Sequence, residues 1–292
     1  MSVKKVFVSG ASGFQGRPTA QQLLAKGYHV STLKRAGAKG MPVDDRVETI
    51  VGGFENVASI SNALTGVDAA VFTLPLVFDM DTAKNMTSNF IEAAKAQNIA
   101  LIVFNSSFDL PTENTGLLAL DLKVETKKLL DASGLNVITL MPDVYIDNLA
   151  APWSIPLIKE QGILPYPVAN GQKIPWISHV DLAKFVASAI EKPELASKTL
   201  PIGGNLMSCD EIASAIGNQI GQSVQFISIT PDEFEKNLAA AFGEVPAREI
   251  SNLYRYLASN MEQIRTKDFG SVRQELGVEL QTVNEWVKSV NW

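Results

Sequence analysis

Three glycines stand where the first apolar segment of the chain passes into a predicted helix. The segment "VFVSGASGFQGR" runs from Val6 to Arg17 and contains Gly10, Gly13 and Gly16. A strand that turns directly into a helix needs glycine for unusual backbone angles, for close approach of a ligand and for tight packing. The amides at the start of the helix then favour a bound phosphate. We therefore predict a phosphate-binding turn, the alternative being a glycine-rich turn without a ligand.

Apolar runs of strand length alternate with helical patterns over the first half of the chain. The predicted strands are Val3–Ser9, Tyr28–Arg35, Val47–Gly52, Asp68–Leu74, Ala100–Ser106 and Asn136–Met141. The predicted helices are Arg17–Lys26, Val57–Thr65, Asp81–Gln97 and Leu117–Ala132. The first, fourth and fifth strands are almost wholly apolar, which indicates parallel strands buried on both faces. This alternation predicts an α/β fold with a doubly wound parallel sheet of the Rossmann type.

After Pro142 this regular alternation ends. A segment rich in proline and glycine is followed by a predicted helix over His179–Glu191, by a strand in "KTLPIGG" and by a largely helical remainder with one strand, "VQFISI". We predict a dinucleotide-binding domain over residues 1–150, with later contributions from about 172–204. Residues 151–292 are predicted to form a smaller, discontinuous and mainly helical lobe that binds the substrate.

Charge and composition narrow the possible partners. A net charge of −6 disfavours a nucleic-acid partner. The single cysteine, Cys209, fits a reducing compartment, and together with the two histidines, His29 and His179, it gives no metal-binding pattern. We find no targeting segment and no apolar run of the ~20 residues that a membrane span needs. The expectation is a cytoplasmic protein without a membrane partner that binds a small molecule, as a homodimer or a monomer.

The end of the second predicted strand indicates which dinucleotide would bind. NAD-binding proteins carry an acidic residue about 20 residues beyond the glycines, where it bonds the ribose 2′-hydroxyl. Here the strand ends in "STLKRAG", which contains Lys34 and Arg35 and no acid. Two cations suit a 2′-phosphate, and Arg17 could add a third. We therefore predict NADP(H) as the cofactor, the alternative being a solvated basic strand end.

Ligands of an open parallel sheet bind beyond the carboxyl ends of its strands. The residues that we expect to border the cofactor there, besides the glycines and the two cations, are Ser12, Phe14, Gln15, Thr73, Leu74, Pro75, Asn105, Ser106, Pro142 and Val144. Ser106 or Ser107 could also hydrogen-bond a substrate carbonyl. Alternatively, either serine only caps a turn.

The chain resembles the NmrA-like branch of the atypical short-chain dehydrogenases/reductases almost from end to end. The segments that carry the resemblance are "VSGASGFQGR", "VGGFENVASISNALTGVDAAVFTLP", "IVFNSS", "LKVETKKLLDASGLNVITLMPDVYIDNL" and "WISHVDLAKFVASAIEKP". The resemblance implies that Lys123 holds the nicotinamide ribose hydroxyls. The tyrosine that the wider superfamily has four residues earlier is replaced by Ala119. Gly53 stands where relatives often have an aspartate beside the adenine, so the backbone of Phe54 is the expected contact.

These observations predict an NADP(H)-dependent oxidoreductase that reduces a small carbonyl, quinone or related acceptor by hydride transfer. The candidate catalytic residues are Lys123, Tyr145 and Ser106. Tyr145 would donate a proton in place of the missing tyrosine, or else pack against the nicotinamide or the substrate. We expect His29 to be structural and His179 to be a surface residue, the alternative being that His179 reaches the cleft from the second lobe. The alternative function is a non-catalytic redox sensor that binds NADP(H) and acts through a protein partner.

Overall fold

A computed structural model describes residues 3–37, 41 and 43–292 of the chain. The strands are β1 (Lys5–Val8), β2 (His29–Lys34), β3 (Val47–Val51), β4 (Ala69–Phe72), β5 (Leu101–Asn105), β6 (Val137–Pro142), β7 (Ile163–Tyr166), β8 (Lys173–Pro175), β9 (Thr199–Ile202), β10 (Leu206–Ser208) and β11 (Gln225–Ser228). The α-helices are α1 (Gly16–Ala25), α2 (Val57–Ala63), α3 (Met80–Ala96), α4 (Leu118–Asp131), α5 (His179–Ile190), α6 (Cys209–Ile220), α7 (Pro231–Phe242), α8 (Glu244–Arg265), α9 (Phe269–Leu276) and α10 (Val283–Ser289).

The chain divides into two compact units. The first unit comprises Met1–Pro142, His179–Ile202 and Gly270–Val278, of which the residues named above are described. The second unit comprises Asp143–Ser178, Gly203–Phe269 and Glu279–Trp292. Among the described residues, no helix combines the length and the apolar character that crossing a membrane requires.

A seven-stranded parallel sheet in the order β3-β2-β1-β4-β5-β6-β9 forms the centre of the first unit. The predicted α/β fold with a parallel sheet is therefore confirmed, and the strand predicted in "KTLPIGG" is β9 at one edge. The chain passes from β1 outward to β2 and β3 and then returns to β4 on the other side of β1. Such a reversal leaves a crevice beyond the carboxyl ends of β1 and β4, which is where open sheets of this type bind ligands.

Aromatic side chains fill much of the core of the first unit. Phe7, Phe72, Phe90 and Phe104 have no exposed surface, and Phe54 is 7% exposed. Phe72 and Phe90 stack, with ring centroids 4.2 Å apart and ring planes inclined by 7°. Burying a side chain of this size stabilises a fold by about 1.5–3 kcal/mol. The apolar strands that dominate the sequence pattern are thus buried strands between layers of helix, as the pattern predicts.

The second unit is mainly helical and contains two small two-stranded sheets, antiparallel β8–β10 and parallel β7–β11. Its helix boundaries follow from local sequence. Capping boxes start α6 at Ser208 and α7 at Thr230, because each hydroxyl accepts a hydrogen bond from the amide of a glutamate three residues on. A buried polar cluster lies in this unit. It consists of Asn148, Tyr166 and Tyr254, and the two tyrosine hydroxyls hydrogen-bond each other.

Candidate functional site

The glycine turn joins β1 to α1 by a tight backbone path. Gly10 has a φ of +69°, a conformation that favours glycine. The N–H of Gly13 donates to Gly10 O at 2.8 Å, and the N–H of Arg17 donates to Gly13 O at 3.1 Å. A Cβ atom on Gly16 would stand 2.2 Å from Gly10 O, so only glycine fits this position without a backbone shift. The turn brings the first residues of α1 directly beside the end of β1.

Several amides of this turn have no hydrogen bond within residues 3–37, 41 and 43–292. They are the N–H groups of Ser12, Phe14 and Gly16. The first turn of α1 contains no acidic residue. Unbonded amides and the positive end of a helix dipole together attract an anion, and no side chain of the helix opposes it. The side chain of Phe14 is 61% exposed, so it leaves the turn open to solvent. The arrangement is suited to a phosphate group.

Basic side chains accompany the turn at the end of β2. Thr32 joins β2 to the turn, since its hydroxyl oxygen accepts from the N–H of Ala11 at 3.4 Å and its hydrogen is donated to Val8 O at 2.7 Å, at the end of β1. Lys34 ends β2 and Arg35 follows it, and neither has an ion-pair partner among the described residues. The nearby Arg46 differs, because it forms a bidentate pair with Asp44 and lowers the pKa of that carboxyl to about 2. Lys34 and Arg35 thus remain available to an anionic ligand.

Arg17 lies in the first turn of α1 and faces the segment after β2. Its Nη1 atom is 3.2 Å from Met41 Sδ. It also lines a cleft of about 530 Å³ that Ala20, Gln21 and residues 43–47 border. Arg17 is thus a third cation, next to the segment that follows β2.

The carboxyl end of β5 is linked to the glycine turn by side chains. Gln15 Oε1 accepts hydrogen bonds from Asn105 Nδ2 at 2.8 Å and from Ser107 Oγ at 2.9 Å. Asn105 Nδ2 also lies 3.3 Å from Thr73 Oγ1 at the end of β4. The hydroxyl of Ser9 accepts from Thr73 N at 2.7 Å. The ends of three neighbouring strands, β1, β4 and β5, therefore form one hydrogen-bonded edge.

Ser106 occupies a different environment from its neighbours. Its side chain is 2% exposed, and its hydroxyl oxygen lies 2.6 Å from Phe108 O and 3.1 Å from Leu140 O. A hydroxyl has a single hydrogen, and both neighbours are acceptors. This geometry favours the alternative in which Ser106 caps the turn after β5.

Lys123 lies on α4, and its side chain is partly buried. Within the described part of the chain its ammonium has no hydrogen bond or ion pair. Burial lowers the pKa of Lys123 to about 8 from the usual 10.5, because removal from water disfavours the charged form. Ala119 is one helical turn earlier and is 7% exposed. The structure thus presents a lysine of lowered pKa with the methyl group of Ala119 on the same face of α4.

The predicted adenine contact at Phe54 involves its backbone, because the ring is buried in the aromatic core. Asn89 Nδ2 donates to Phe54 O at 3.0 Å and fixes this segment. Sequence reasoning missed Asn89, whose only signal is an amide next to the buried Phe90. A Cβ on Gly53 would lie 2.3 Å from the carboxylate oxygens of Glu55, so Glu55 fills the space that a side chain at 53 would need.

The remaining predicted residues are distributed over both units. In the first unit, Leu74 and Pro75 follow β4 half-buried, and Pro142 ends β6 buried. In the second unit, Val144 and Tyr145 are 3% and 5% exposed. Val144 O accepts from the N–H of Ile177 at 3.0 Å, and Ile146 N donates to Ile177 O at 3.0 Å, so backbone pairing holds Tyr145 in place.

Both histidines belong to the first unit. His29 is exposed and opens β2. The expectation that His179 is a surface residue is wrong, because this first residue of α5 is 7% exposed. Among the residues that the structure describes, no three His, Cys, Asp or Glu side chains come together as a metal site.

Comparison with known proteins places this geometry in context. The profile of the NmrA-like family matches residues 2–287. The photosystem II assembly factor Ycf39 of Synechocystis sp. is 27% identical over 216 residues, which cover 69% of this chain and 63% of that protein. The chain therefore spans about three-fifths of the length of this curated relative.

Two solved structures show the same fold. The Citrobacter sp. triphenylmethane reductase complexed with NADP(H) has a TM-score of 0.77 at 18% identity, with 98% of this chain and 100% of that chain covered. The NADPH-dependent quinone oxidoreductase QOR2 of Escherichia coli has a TM-score of 0.72 at 19% identity, with coverage of 97% and 98%. At these identities the likeness concerns the course of the backbone.

Proposed function

The chain belongs to the NmrA-like family, and on that premise we propose that it binds NADP(H) and reduces a small carbonyl, quinone or related acceptor. The first unit would be the dinucleotide-binding domain and the second unit the substrate lobe. Two proteins with the same fold support the proposal, since one is a reductase complexed with NADP(H) and the other is an NADPH-dependent quinone oxidoreductase.

The unbonded amides at the start of α1 are the observation that carries this proposal. Ser12, Phe14 and Gly16 offer three N–H donors at the positive end of a helix. Gly16 has no side chain to block a ligand, and its contact with Gly10 holds the turn in place. A pyrophosphate has several acceptor oxygens and two negative charges, so it satisfies these donors where a neutral group would not. The residues present therefore fit a dinucleotide.

The choice of NADP(H) over NAD(H) rests on the cations beyond β2. Lys34 and Arg35 have no acidic partner among the described residues. A charge-assisted hydrogen bond to a phosphate contributes about 1.5–3 kcal/mol. Lys34 and Arg35 can form such a bond without first breaking an ion pair. Arg46, in contrast, would have to give up its ion pair with Asp44. We therefore expect the 2′-phosphate to increase affinity markedly.

The bound cofactor would supply a hydride, and the protein would supply orientation and charge. Lys123 can direct up to three N–H donors at ribose hydroxyls, and with a pKa of about 8 it is mostly protonated at pH 7. Ala119 offers no proton donor beside it. A quinone-like acceptor suits this arrangement better than an unactivated ketone, because its reduced oxygen is less basic and can take a proton from water. Tyr145 remains a proposed alternative donor, whereas the buried hydroxyl of Ser106 is directed at backbone carbonyls and is the weaker candidate.

A binding experiment tests the proposal. NADPH and NADH are titrated calorimetrically into the whole chain and into the Arg35→Ala variant. We expect NADPH to bind more tightly, and the substitution to weaken NADPH by roughly tenfold or more while NADH changes little. Arg265→Ala, an exposed arginine of the second unit, is the charge-matched control. Equal affinity of the unsubstituted protein for the two nucleotides would refute the NADP(H) assignment.

A sensor function is the second candidate. It is favoured by the buried Ala119 where a catalytic tyrosine would stand, and by the relative that is described as an assembly factor. A sensor would bind NADPH without consuming it. Oxidation of NADPH at the background rate with a panel of quinones and aldehydes, despite tight binding, would support the sensor. Turnover well above background with any of them would support the reductase.

A further inference from the structure

We propose that Gln15 sets the direction of the hydrogen bond made by Ser107, so that the Ser107 hydroxyl accepts a hydrogen bond from the bound ligand and does not donate one. The inference rests on the proposed function, because it takes the ligand to be a dinucleotide or its co-substrate at the carboxyl edge of the sheet. All the groups involved belong to the first unit.

The hydrogen-bond chain begins at a group that can act in one direction only. The backbone N–H of Ser107 donates to Asn105 Oδ1 at 3.0 Å. This fixes the Asn105 amide with Nδ2 on its other side, and an amide nitrogen can only donate. Its two hydrogens are directed at Gln15 Oε1, 2.8 Å away, and at Thr73 Oγ1, 3.3 Å away. The atom of Gln15 that faces Asn105 is consequently its oxygen.

The same oxygen determines the state of Ser107. Ser107 Oγ lies 2.9 Å from Gln15 Oε1, which has lone pairs and no hydrogen. The single hydroxyl hydrogen of Ser107 therefore points at Gln15. Within the described residues the Ser107 hydroxyl makes no other hydrogen bond. The Ser107 oxygen therefore presents its lone pairs to a ligand. These accept a hydrogen bond from an N–H or O–H group and repel a carbonyl oxygen.

The backbone of Ser107 adopts a rare conformation that its neighbours hold in place. Its φ is +61°, a left-handed conformation that residues with a side chain rarely adopt. Asn105 holds the backbone amide and Gln15 holds the hydroxyl of this one residue. Such conformations persist where the surroundings over-determine them, and they concentrate at ligand sites. Ser107 follows the carboxyl end of β5, where ligands of open parallel sheets bind.

The ligand donor that fits this acceptor has two possible sources. One is the carboxamide N–H of the nicotinamide, and the other is an N–H or O–H group of the co-substrate. The first source is tested with 3-acetylpyridine adenine dinucleotide phosphate, a nucleotide in which a methyl ketone replaces the carboxamide, so that no N–H remains there. The second source is tested by comparing the KM values of acceptors that carry a hydroxyl group with those of acceptors that lack it.

The experiment compares dissociation constants of NADP⁺ and of the acetylpyridine analogue. The proteins are the unsubstituted chain, Ser107→Ala, Gln15→Leu, the double variant and Gln15→Glu. Gln22→Leu, on the helix α1 that Gln15 precedes, is the control. We expect the unsubstituted chain to prefer NADP⁺ by roughly threefold to tenfold, the value of one hydrogen bond. In Ser107→Ala and in Gln15→Leu, the ratio of the two dissociation constants should fall close to one. The double variant should show the same ratio as either single variant. Gln15→Glu keeps an acceptor oxygen and should retain the preference.

If the donor is on the co-substrate, NADP⁺ and the acetylpyridine analogue bind equally well to the unsubstituted chain and to every variant. Ser107→Ala and Gln15→Leu then raise KM for the hydroxyl-bearing acceptor alone, which also supports the inference. It is overturned if Ser107→Ala weakens both nucleotides equally, if the effects of the two single variants multiply, or if no constant changes. Melting temperatures show whether Gln15→Leu folds, and Ser107→Ala alone still decides between these outcomes. Failure of the unsubstituted chain to bind NADP⁺ would instead refute the proposed function.

Discussion

Gly16 approaches Gly10 so closely that a Cβ atom at position 16 would lie 2.2 Å from the Gly10 carbonyl oxygen and 2.5 Å from its carbonyl carbon. Both groups are backbone, and neither can rotate away as a side chain would. The first turn of α1 is therefore seated directly on the turn that leaves β1. Gly13 differs, because its Cβ would lie 3.2 Å from the same oxygen.

We predict that Gly16→Ala lowers the free energy of unfolding by at least about 1–3 kcal/mol, the usual cost of overpacking. It should also weaken NADPH binding, because α1 has to move away from the turn. Gly13→Ala is the matched control and should change the unfolding free energy by less than about 1 kcal/mol. Urea unfolding measures the first effect and calorimetry the second. Equal destabilisation by the two variants would contradict the distinction.

A larger substitution at Gly13 separates binding from folding. Gly13→Val places a branched side chain in the turn, where the backbone and the phosphates are expected to meet. We predict loss of NADPH binding with a folded structure retained, as judged by circular dichroism. A folded Gly13→Val variant that still binds NADPH would show that the phosphates lie elsewhere.

Much of the fold of the first unit could be predicted from the sequence, because local patterns determine it. The predicted strand Ala100–Ser106 is observed as Leu101–Asn105, and the predicted helix Leu117–Ala132 as Leu118–Asp131. Buried parallel strands need continuous apolar runs, and a glycine turn needs glycines at fixed spacing, so both leave a record in a single stretch of chain.

The side-chain geometry of the site could not be predicted in the same way. Gln15 meets Asn105 and Ser107 across 90 and 92 residues of chain, and their meeting depends on the order and register of β1, β4 and β5. No local pattern distinguishes the Ser106 hydroxyl, which turns inward, from that of Ser107. The burial of His179 and the lowered pKa of Lys123 likewise arise from packing that a single segment does not encode.

Lys123 should make stability depend on pH in a defined window. Its pKa is about 8 in the folded state and near 10.5 when exposed. Between these values the unfolded chain binds more protons than the folded chain, so stability rises with pH there. We predict that Lys123→Met raises the unfolding free energy by about 1–3 kcal/mol at pH 7 and that this gain disappears toward pH 10.5. The expected gain is smaller than the full pKa difference implies, because the side chain is only partly buried. Lys127→Met, which breaks an ion pair with Asp131, is the control and should show no such gain.

The same substitution separates cofactor binding from proton transfer. If Lys123 only holds the ribose, Lys123→Met should raise the dissociation constant of NADPH and keep turnover at saturating cofactor within roughly tenfold. A positioned proton donor contributes about 10²–10⁴-fold instead. We expect the smaller effect, because Ala119, one helical turn before Lys123, carries no hydroxyl group. Steady-state kinetics at saturating NADPH measure it, and a drop in turnover above a hundredfold would identify Lys123 as the acid.

The buried tyrosine pair of the second unit should control alkaline unfolding. Burial raises the pKa of Tyr254 to about 12, and burial beside Tyr254 raises the pKa of Tyr166 well above its usual value. The stability that these neutral phenols provide is complete below pH 10 and is lost as the pH rises toward 12. We predict that their ionisation, followed by absorbance at 295 nm, coincides with the loss of ellipticity in that range. Ionisation of all five tyrosines near pH 10 in the folded chain would contradict this.

Tyr254→Phe tests the pair directly. It removes one partner of the hydrogen bond between the two hydroxyls and leaves the other phenol buried. We expect the unfolding free energy at pH 8 to fall by about 1–3 kcal/mol, and the amplitude of the alkaline step to shrink. Tyr256→Phe on the same helix is less buried and should have a smaller effect on both measurements.

The position of Ala119 on α4 allows a phenol to be introduced one helical turn before Lys123. Residues 119 and 123 lie on one face of the helix, since they are four residues apart. A phenol at 119 would stand beside the Lys123 ammonium, which would lower the pKa of the phenol and activate it as an acid. We predict that Ala119→Tyr increases the rate of NADPH-dependent aldehyde reduction by at least about tenfold.

Because Ala119 is 7% exposed, the melting temperature of the variant is measured alongside its activity. Ala119→Phe adds the same bulk without a hydroxyl and should give no increase. If a folded, NADPH-binding Ala119→Tyr variant is no faster than Ala119→Phe, then substrates do not bind above this face of α4, and a role of this face in reduction is contradicted.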